Sequence, residues 1–581
     1  MPQVSSHALF GRRFARHLAR LTRVYWTSPD ALKGGLLLAL TISLELCTVY
    51  GNVRLSVAQR RIFDAFEGKQ MAALYGAFGV FIGLALAFVL VSTFRIYTRQ
   101  TLEIRWRHWL TDHYLKQWIT SQAYYQIELH RKATDNPDQR IAEDVRNYVA
   151  SALGLSLSLL SALATLVSFA GVLWSLSGHW EYDYHGSHIH IPGLMMWVAI
   201  VYALVTSWLT HRVGRRLVPI QFDRERFEAD FRFALVHFRE NVELVALSRG
   251  EDGEQRTAIS RFHNVIRNWM QLIGAQRDLM LLTTGIGQAN SLVPLLIAAP
   301  GYFAGNLTLG SVIQTTIAYA QVSNALVWFV NAYQEIAQWR ASIERLFTFT
   351  EEIDSTCADL QLAQGLRVER RQDGALRLSH VFLSRPDGQV LVEDVTAAIN
   401  PGDRVALLGP SGAGKRTLLR AIAGLWRFGR GQIEMPEEAR STFLWDRPYL
   451  PMGTLRAALS YPAIEGNFAD DKIREILQLL DLNAFAERLG DSEQWEQRLS
   501  GGEQQRLALT RLLLHEPDWI FLDGATSSLD DEAVPGVYAL LRERLPRAAI
   551  VSIADRAAVA QCHERQWTLV PHGAASTLQV D

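Results

Sequence analysis

Cysteine is scarce in this sequence: Cys47, Cys357 and Cys562 are its three, far apart. That spacing excludes a disulfide framework and a cysteine-rich zinc site, and it indicates no redox role. Net charge is also missing, at −1 for 581 residues, so nothing marks nucleic acid as a partner. Charged residues are only 20% while apolar ones reach 49%. A membrane-embedded part joined to a soluble part fits that mixture. The length exceeds what one hydrophobic core holds, so two domains are expected. No small-residue cleavage site follows the first apolar run. With Arg12, Arg13, Arg16, Arg20 and Arg23 ahead of it, that run reads as a membrane anchor, not a removed signal peptide.

Six apolar stretches come near the ~20 residues that cross a bilayer as a helix. They are Gly34 to Val53, Met71 to Phe94, Val149 to Leu176, Gly193 to Leu209, Leu279 to Ala299 and Leu309 to Val330. The fourth is short. Long polar stretches separate the second from the third and the fourth from the fifth. The first carries Arg95, Arg99, Arg105, Arg107 and Lys116; the second carries Arg212, Arg215, Arg216, Arg224 and Arg226. The connections Gly178–Pro192 and Pro300–Thr308 hold no Lys or Arg. Basic residues stay on the inner side, so the long stretches and the N-terminus are expected in the cytoplasm. Arg54, Arg60, Arg61 and Lys69 fit poorly, unless the flanking helices continue beyond the bilayer. Glu225 to Phe238 alternates charges with phenylalanines, the pattern of a helix leaving the membrane. The expected transmembrane domain is 1–346. A link around Glu351–Asp373 then leads, within a second domain of 347–581, to short β-rich runs alternating with helical ones from Leu376.

In that second domain Arg404-Val-Ala-Leu-Leu reads as a buried strand. Gly409-Pro-Ser-Gly-Ala-Gly-Lys415 follows, then a helical run through Leu418, Leu419 and Ile422. Strand, glycine loop and helix in that order form a phosphate cradle. Backbone N–H groups around Gly409, Ser411, Gly412 and Gly414 wrap the phosphates, the helix N-terminus adds positive potential, and Lys415 reaches the terminal phosphates. Further on stand Leu499-Ser-Gly-Gly-Glu-Gln-Gln-Arg506, then Trp519-Ile-Phe-Leu-Asp523 and Ala525-Thr-Ser-Ser-Leu-Asp530.

These motifs resemble the Walker A, signature, Walker B and D-loop sequences of ABC ATPases, in order and spacing, over about residues 375–575. Arg105-Trp-Arg-His-Trp-Leu-Thr111, Asp135-Asn-Pro-Asp-Gln-Arg-Ile-Ala-Glu-Asp144 and Arg249-Gly-Glu-Asp-Gly-Glu254 resemble segments of one ABC subgroup. That subgroup comprises the peroxisomal fatty-acyl half-transporters (subfamily D) and bacterial relatives that take up cobalamin and antimicrobial peptides. The resemblance implies an exporter fold: an α-helical six-span transmembrane domain followed by an α/β P-loop ATPase domain. It implies ATP and Mg2+ as ligands, a bacterial inner-membrane location with the ATPase domain cytoplasmic, and a small-molecule or peptide substrate. It also implies a homodimer or heterodimer with another half-transporter, in which Ser500, Gly501 and Gly502 complete the partner's ATP site. One bacterial branch lacks the ATPase domain and is proton-driven.

Against that family pattern, four positions depart. The hydroxyl that holds magnesium after the Walker lysine is replaced by Arg416, and Thr417 lies one residue further round the helix. Asp446 stands at the Q-loop glutamine, Gly524 at the catalytic glutamate after Asp523, and Asp555 at the switch histidine. No catalytic residue is intact, and Asp523 alone is left as a weak magnesium ligand. Loss of a positioned general base alone costs about 10²–10⁴ in rate. The replacements read as a set, with Arg416 expected to pair with Asp446, Asp523 or Asp555. Phe382, near the position of the adenine-stacking ring, reads equally well as core. In the membrane half, Glu45 lies mid-span and is a candidate to carry a coupling proton or line a substrate cavity, with a buried structural glutamate as the alternative. His179, His185, His188 and His190 match no zinc spacing and read as a solvated hairpin.

Overall fold

The computed structural model describes residues 12–120, 123–130, 136–176, 181–184, 187–190, 193–362, 365–372, 374–573 and 575–581. The chain divides into two compact units. One holds residues 1–121 and 133–353; the other holds 122–132 and 354–581.

The first unit is helical. Among the described residues, five helices are long and apolar enough to cross a bilayer: Ala31–Glu67, Met71–Ile119, Pro137–Leu176, Leu194–Glu240 and Glu251–Phe303. The sixth expected span lies in the helix Leu309–Leu362 and is not among them. Gln314, Gln321, Ser323 and Asn324 interrupt its apolar stretch. At 1.5 Å per residue these helices far exceed the ~30 Å hydrocarbon thickness, so the polar stretches are their continuations. The continuation of Ala31–Glu67 carries Arg54, Arg60 and Arg61 past the apolar run, and Arg60 pairs with Asp64 at 3.5 Å. At the same end, Glu67 Oε2 accepts from Leu309 N at 2.8 Å and Asp64 Oδ1 from Gly310 N at 3.1 Å. Two carboxylates thus cap the positive end of the last helix, where the macrodipole favours them.

One correction concerns the link. No breaker interrupts the helical pattern after Glu351, so the helix runs on to Leu362 and a strand begins at Leu366. His188 and His190 lie on a strand, Ser187–His190, paired antiparallel with Glu181–Tyr184. His179 and His185 lie outside the described residues.

The second unit is built on a ten-stranded sheet. Its parallel core runs Arg565–His572, Arg404–Leu408, Ala549–Ile553, Trp519–Asp523, Ser441–Trp445. Every residue of Trp519–Asp523 and Ala549–Ile553 is buried, as parallel strands covered on both faces must be. A short helix, Ala123–His130, belongs to this unit. Its Gln126 donates to Leu425 O at 3.0 Å, and Ile127 is buried.

Candidate nucleotide site

Parallel sheets place ligands beyond the carboxyl ends of their strands. Register brings the four departing positions to that edge. Asp523 pairs with Trp445 on one side and Ile553 on the other, and Leu407 pairs with Ile553. One residue past these strand ends come Asp446 and Gly524, and two past comes Asp555. The phosphate loop leaves the same edge from Leu408.

The loop has the backbone that cradles phosphates. Gly409, Gly412 and Gly414 take φ of 138°, 83° and 98°, values that favour glycine. Helix Lys415–Ile422 starts directly after. Lys415 is buried, and its Nζ donates to Gly409 O at 2.5 Å. The same Nζ lies 2.9 Å from Asp555 Oδ1. An acid therefore stands against the lysine that the family points at the terminal phosphates.

Arg416 turns to the other two acids. Its Nε lies 2.6 Å from Asp523 Oδ2, and its Nη2 lies 3.7 Å from Asp446 Oδ2. Neither Asp523 oxygen accepts a hydrogen bond of regular geometry, so charge holds the pair. Asp523 is almost completely enclosed, and burial pushes its carboxyl above the ordinary range while Arg416 opposes that rise. The guanidinium is in turn pushed further up, chiefly by Asp523. Sequence reasoning left Arg416 three acids to choose from. The structure gives it Asp523, with Asp446 nearby, and gives Asp555 to Lys415.

The residues present do not fit magnesium. The one retained acid, Asp523, is engaged by a cationic side chain standing where a divalent ion would be bound, and Arg416 supplies no donor oxygen. Gly524 closes another route. Its φ is +65°, and a Cβ there would lie 3.0 Å from Asp446 Cβ. A glutamate at 524 would be strained and crowded before it reached any water.

The signature face keeps its regular form. Ser500 caps helix Gly501–His515 in a capping box: its Oγ accepts from Glu503 N at 3.3 Å, and Ser500 N donates to Glu503 Oε2 at 2.8 Å. Next to it is a residue that the sequence did not single out. Buried Gln505 donates to Asp446 O at 2.9 Å, Gly524 O at 3.2 Å and Ser527 Oγ at 2.8 Å, and accepts from Ser528 N at 2.9 Å. One amide ties the Q-loop, the Walker B end and the D-loop together. No motif marks such a role, because three of its four partners are backbone groups. Phe382 has the Arg430 guanidinium over its ring, 4.2 Å from the centroid. Thr417 is half-buried, and Ser411 is exposed on the loop.

Two family models match this chain: ABC transporter transmembrane region 2 over residues 21–303, and ABC transporter over 392–527. An ABC transporter ATP-binding protein of Synechocystis is 35% identical over 92% of this chain and 81% of its own length. This chain belongs to the ABC transporter family. It is a half-transporter, with one membrane region and one ATP-binding domain. The inner membrane ABC transporter ATP-binding protein YddA of Escherichia coli is 31% identical over 93% of the half-transporter and 94% of its own length. Subfamily D proteins are also among its relatives. A bacterial Atm1-family ABC exporter with ATP bound superposes with a TM-score of 0.72. It is 16% identical, over 94% of this chain and 95% of that one, which shows the exporter fold.

Proposed function

We propose that this half-transporter works in a dimer that moves a small amphipathic or peptide-like solute across a bacterial inner membrane, and that its own P-loop site does not hydrolyse ATP. The observation that carries this is the pairing of both site cations with acids of the same chain: Lys415 with Asp555 and Arg416 with Asp523. In hydrolysing members of the family, Lys and magnesium neutralise the phosphates, Glu orients water and His senses the γ-phosphate. Here two cations face three acids, so a triphosphate meets a site already neutralised from within. The intact signature around Ser500, Gly501 and Gly502 is then the part offered to a partner's ATP site, with ATP bound there between the two subunits. Both Glu45 oxygens accept from Arg95, a pairing that supports a structural place for Glu45 in the membrane unit.

The test is magnesium-dependent ATPase activity and substrate flux of the purified chain in liposomes, with and without a pH gradient, alone and with a second half-transporter. The chain alone should show a rate at least about 10²-fold below ordinary ATPases. Ordinary turnover by the chain alone would overturn the proposal, and flux needing only the pH gradient would favour a proton-driven carrier instead.

A further inference from the structure

The membrane unit contains a cavity of about 330 Å³ between helices Ala31–Glu67, Met71–Thr120, Val145–Leu176 and Leu309–Leu362. Three charged residues line it: Glu45, Arg95 and Arg99. They follow or interrupt apolar runs, where an ionisable side chain is costly unless it has a partner or a task.

Glu45 has a partner. It is 6% exposed, and Arg95 Nη1 donates to both its oxygens at 2.8 Å. This pair is internally neutral and fixes Arg95 in the wall. Arg95 Nε is buried and has no hydrogen-bond partner. Arg99, one helical turn on, makes no hydrogen bond or ion pair among the described residues. Its approach depends on Gly154: a Cβ there would lie 3.2 Å from Arg99 Nη2 and 3.3 Å from Glu335 Oε1. Glu335 is thus nearby but not paired with Arg99, and it does not line the cavity. The remaining wall is mixed. Ser161, Thr165, Gln321 and Asn324 supply hydroxyl and amide groups, and Ile96 and Leu157 supply apolar surface.

The lining therefore carries one cation in excess, as a planar fork with five donors. Guanidinium forks match the paired oxygens of carboxylates and phosphates, and a pocket with apolar walls and few polar groups suits a ligand with an apolar part. We infer that this cavity binds the oxyanion of an amphipathic substrate, a carboxylate or phosphate gripped by Arg99, with Glu45 holding Arg95 in position beside it. The inference rests on reading the chain as a transporter subunit. It does not depend on the state of the ATP site.

Binding is measured on the full-length chain, purified in a neutral detergent without nucleotide. The probes are laurate, dodecyl phosphate and dodecyltrimethylammonium, which share a tail and differ in charge. Both anions should bind at least about tenfold tighter than the cation, and Arg99→Gln should weaken them by about 10- to 100-fold. Arg99→Lys should keep part of the affinity, because the charge remains and the fork is lost. Arg99 is exposed in the single chain, so an unchanged thermal midpoint can verify that each variant is folded. Equal affinity for cation and anions, or an unaffected Arg99→Gln, would overturn the inference. Inorganic phosphate binding as tightly as dodecyl phosphate would overturn the amphipathic part. Competition by phosphatidylglycerol in nanodiscs would support the same chemistry with a lipid headgroup as its source; anion binding without that competition would support a soluble amphipath. Because no nucleotide is present, ordinary ATPase activity would leave this result untouched.

Discussion

The two faces of the nucleotide unit differ in kind. The signature face has a capping box and an intact Ser-Gly-Gly run. The phosphate face keeps its glycine loop, Lys415 and Asp523, but Arg416, Asp446, Gly524 and Asp555 stand at positions where the family pattern has other residues. Gradual loss by drift predicts scattered damage. Here Arg416 lies 2.6 Å from Asp523 and 3.7 Å from Asp446, and Lys415 lies 2.9 Å from Asp555, so the unusual charges stand against one another. The difference between the faces is one of charge: the phosphate face pairs its cations with acids of the same chain, and the signature face does not.

The strongest way to break that comparison is to restore the family residues. The fourfold change Arg416→Ser, Asp446→Gln, Gly524→Glu and Asp555→His should raise magnesium-dependent ATPase of the chain alone by about 10²-fold or more, since a general base alone contributes that much. Gly524→Glu alone should give no gain, because the losses do not add and the ion pairs of Lys415 and Arg416 remain in place. ATPase restored by the single change would show that the ion pairs are incidental.

The next largest effect falls on the joint between the faces. Gln505→Leu removes the hydrogen bonds that buried Gln505 makes to Asp446, Gly524, Ser527 and Ser528, and should destabilise the nucleotide unit by about 1–3 kcal/mol. The readout is a lowered thermal unfolding midpoint, and Asp555→Asn should not reproduce it.

The strand–loop–helix around Lys415 was legible because buried parallel strands are written as unbroken runs such as Val405-Ala-Leu-Leu408. The unexpected charges at 416, 446 and 555 were legible because the family leaves those positions little latitude. Which acid takes which cation was not: it follows from the register of Asp523 with Ile553 and the reach of each side chain. Gln505 was hidden because its partners are brought together only by the tertiary fold. In the membrane half, Glu45 was visible as an anomaly, but Arg95 lies 50 positions away and was read only as a cytoplasmic charge.

Two smaller effects sharpen the contrast. Ser500→Ala removes an N-cap and should cost about 1 kcal/mol, seen as a small drop in thermal midpoint. Should the drop be absent, the regular form of the signature face would be incidental to stability. His563 sits behind the sheet with Nε2 2.9 Å from Ser552 Oγ, and burial holds its imidazole below the ordinary value. A group lowered in the folded state is protonated more readily once unfolded. Stability should therefore be full above the ordinary histidine value of about 6.5 and be lost as pH falls below it. His563→Gln should flatten that part of the thermal-midpoint profile.

The left-handed turn at Gly524 also bears on what this chain can become. A position that has settled into the left-handed region, which is costly for most side chains, acts as a pawl. Stepping to glutamate there carries backbone strain and crowding against Asp446, and it yields no turnover until the ion pairs around Lys415 and Arg416 are also dissolved. Selection for ATP hydrolysis starting from this sequence would therefore encounter a barren intermediate, whereas recruiting an intact partner subunit requires no backbone change at all.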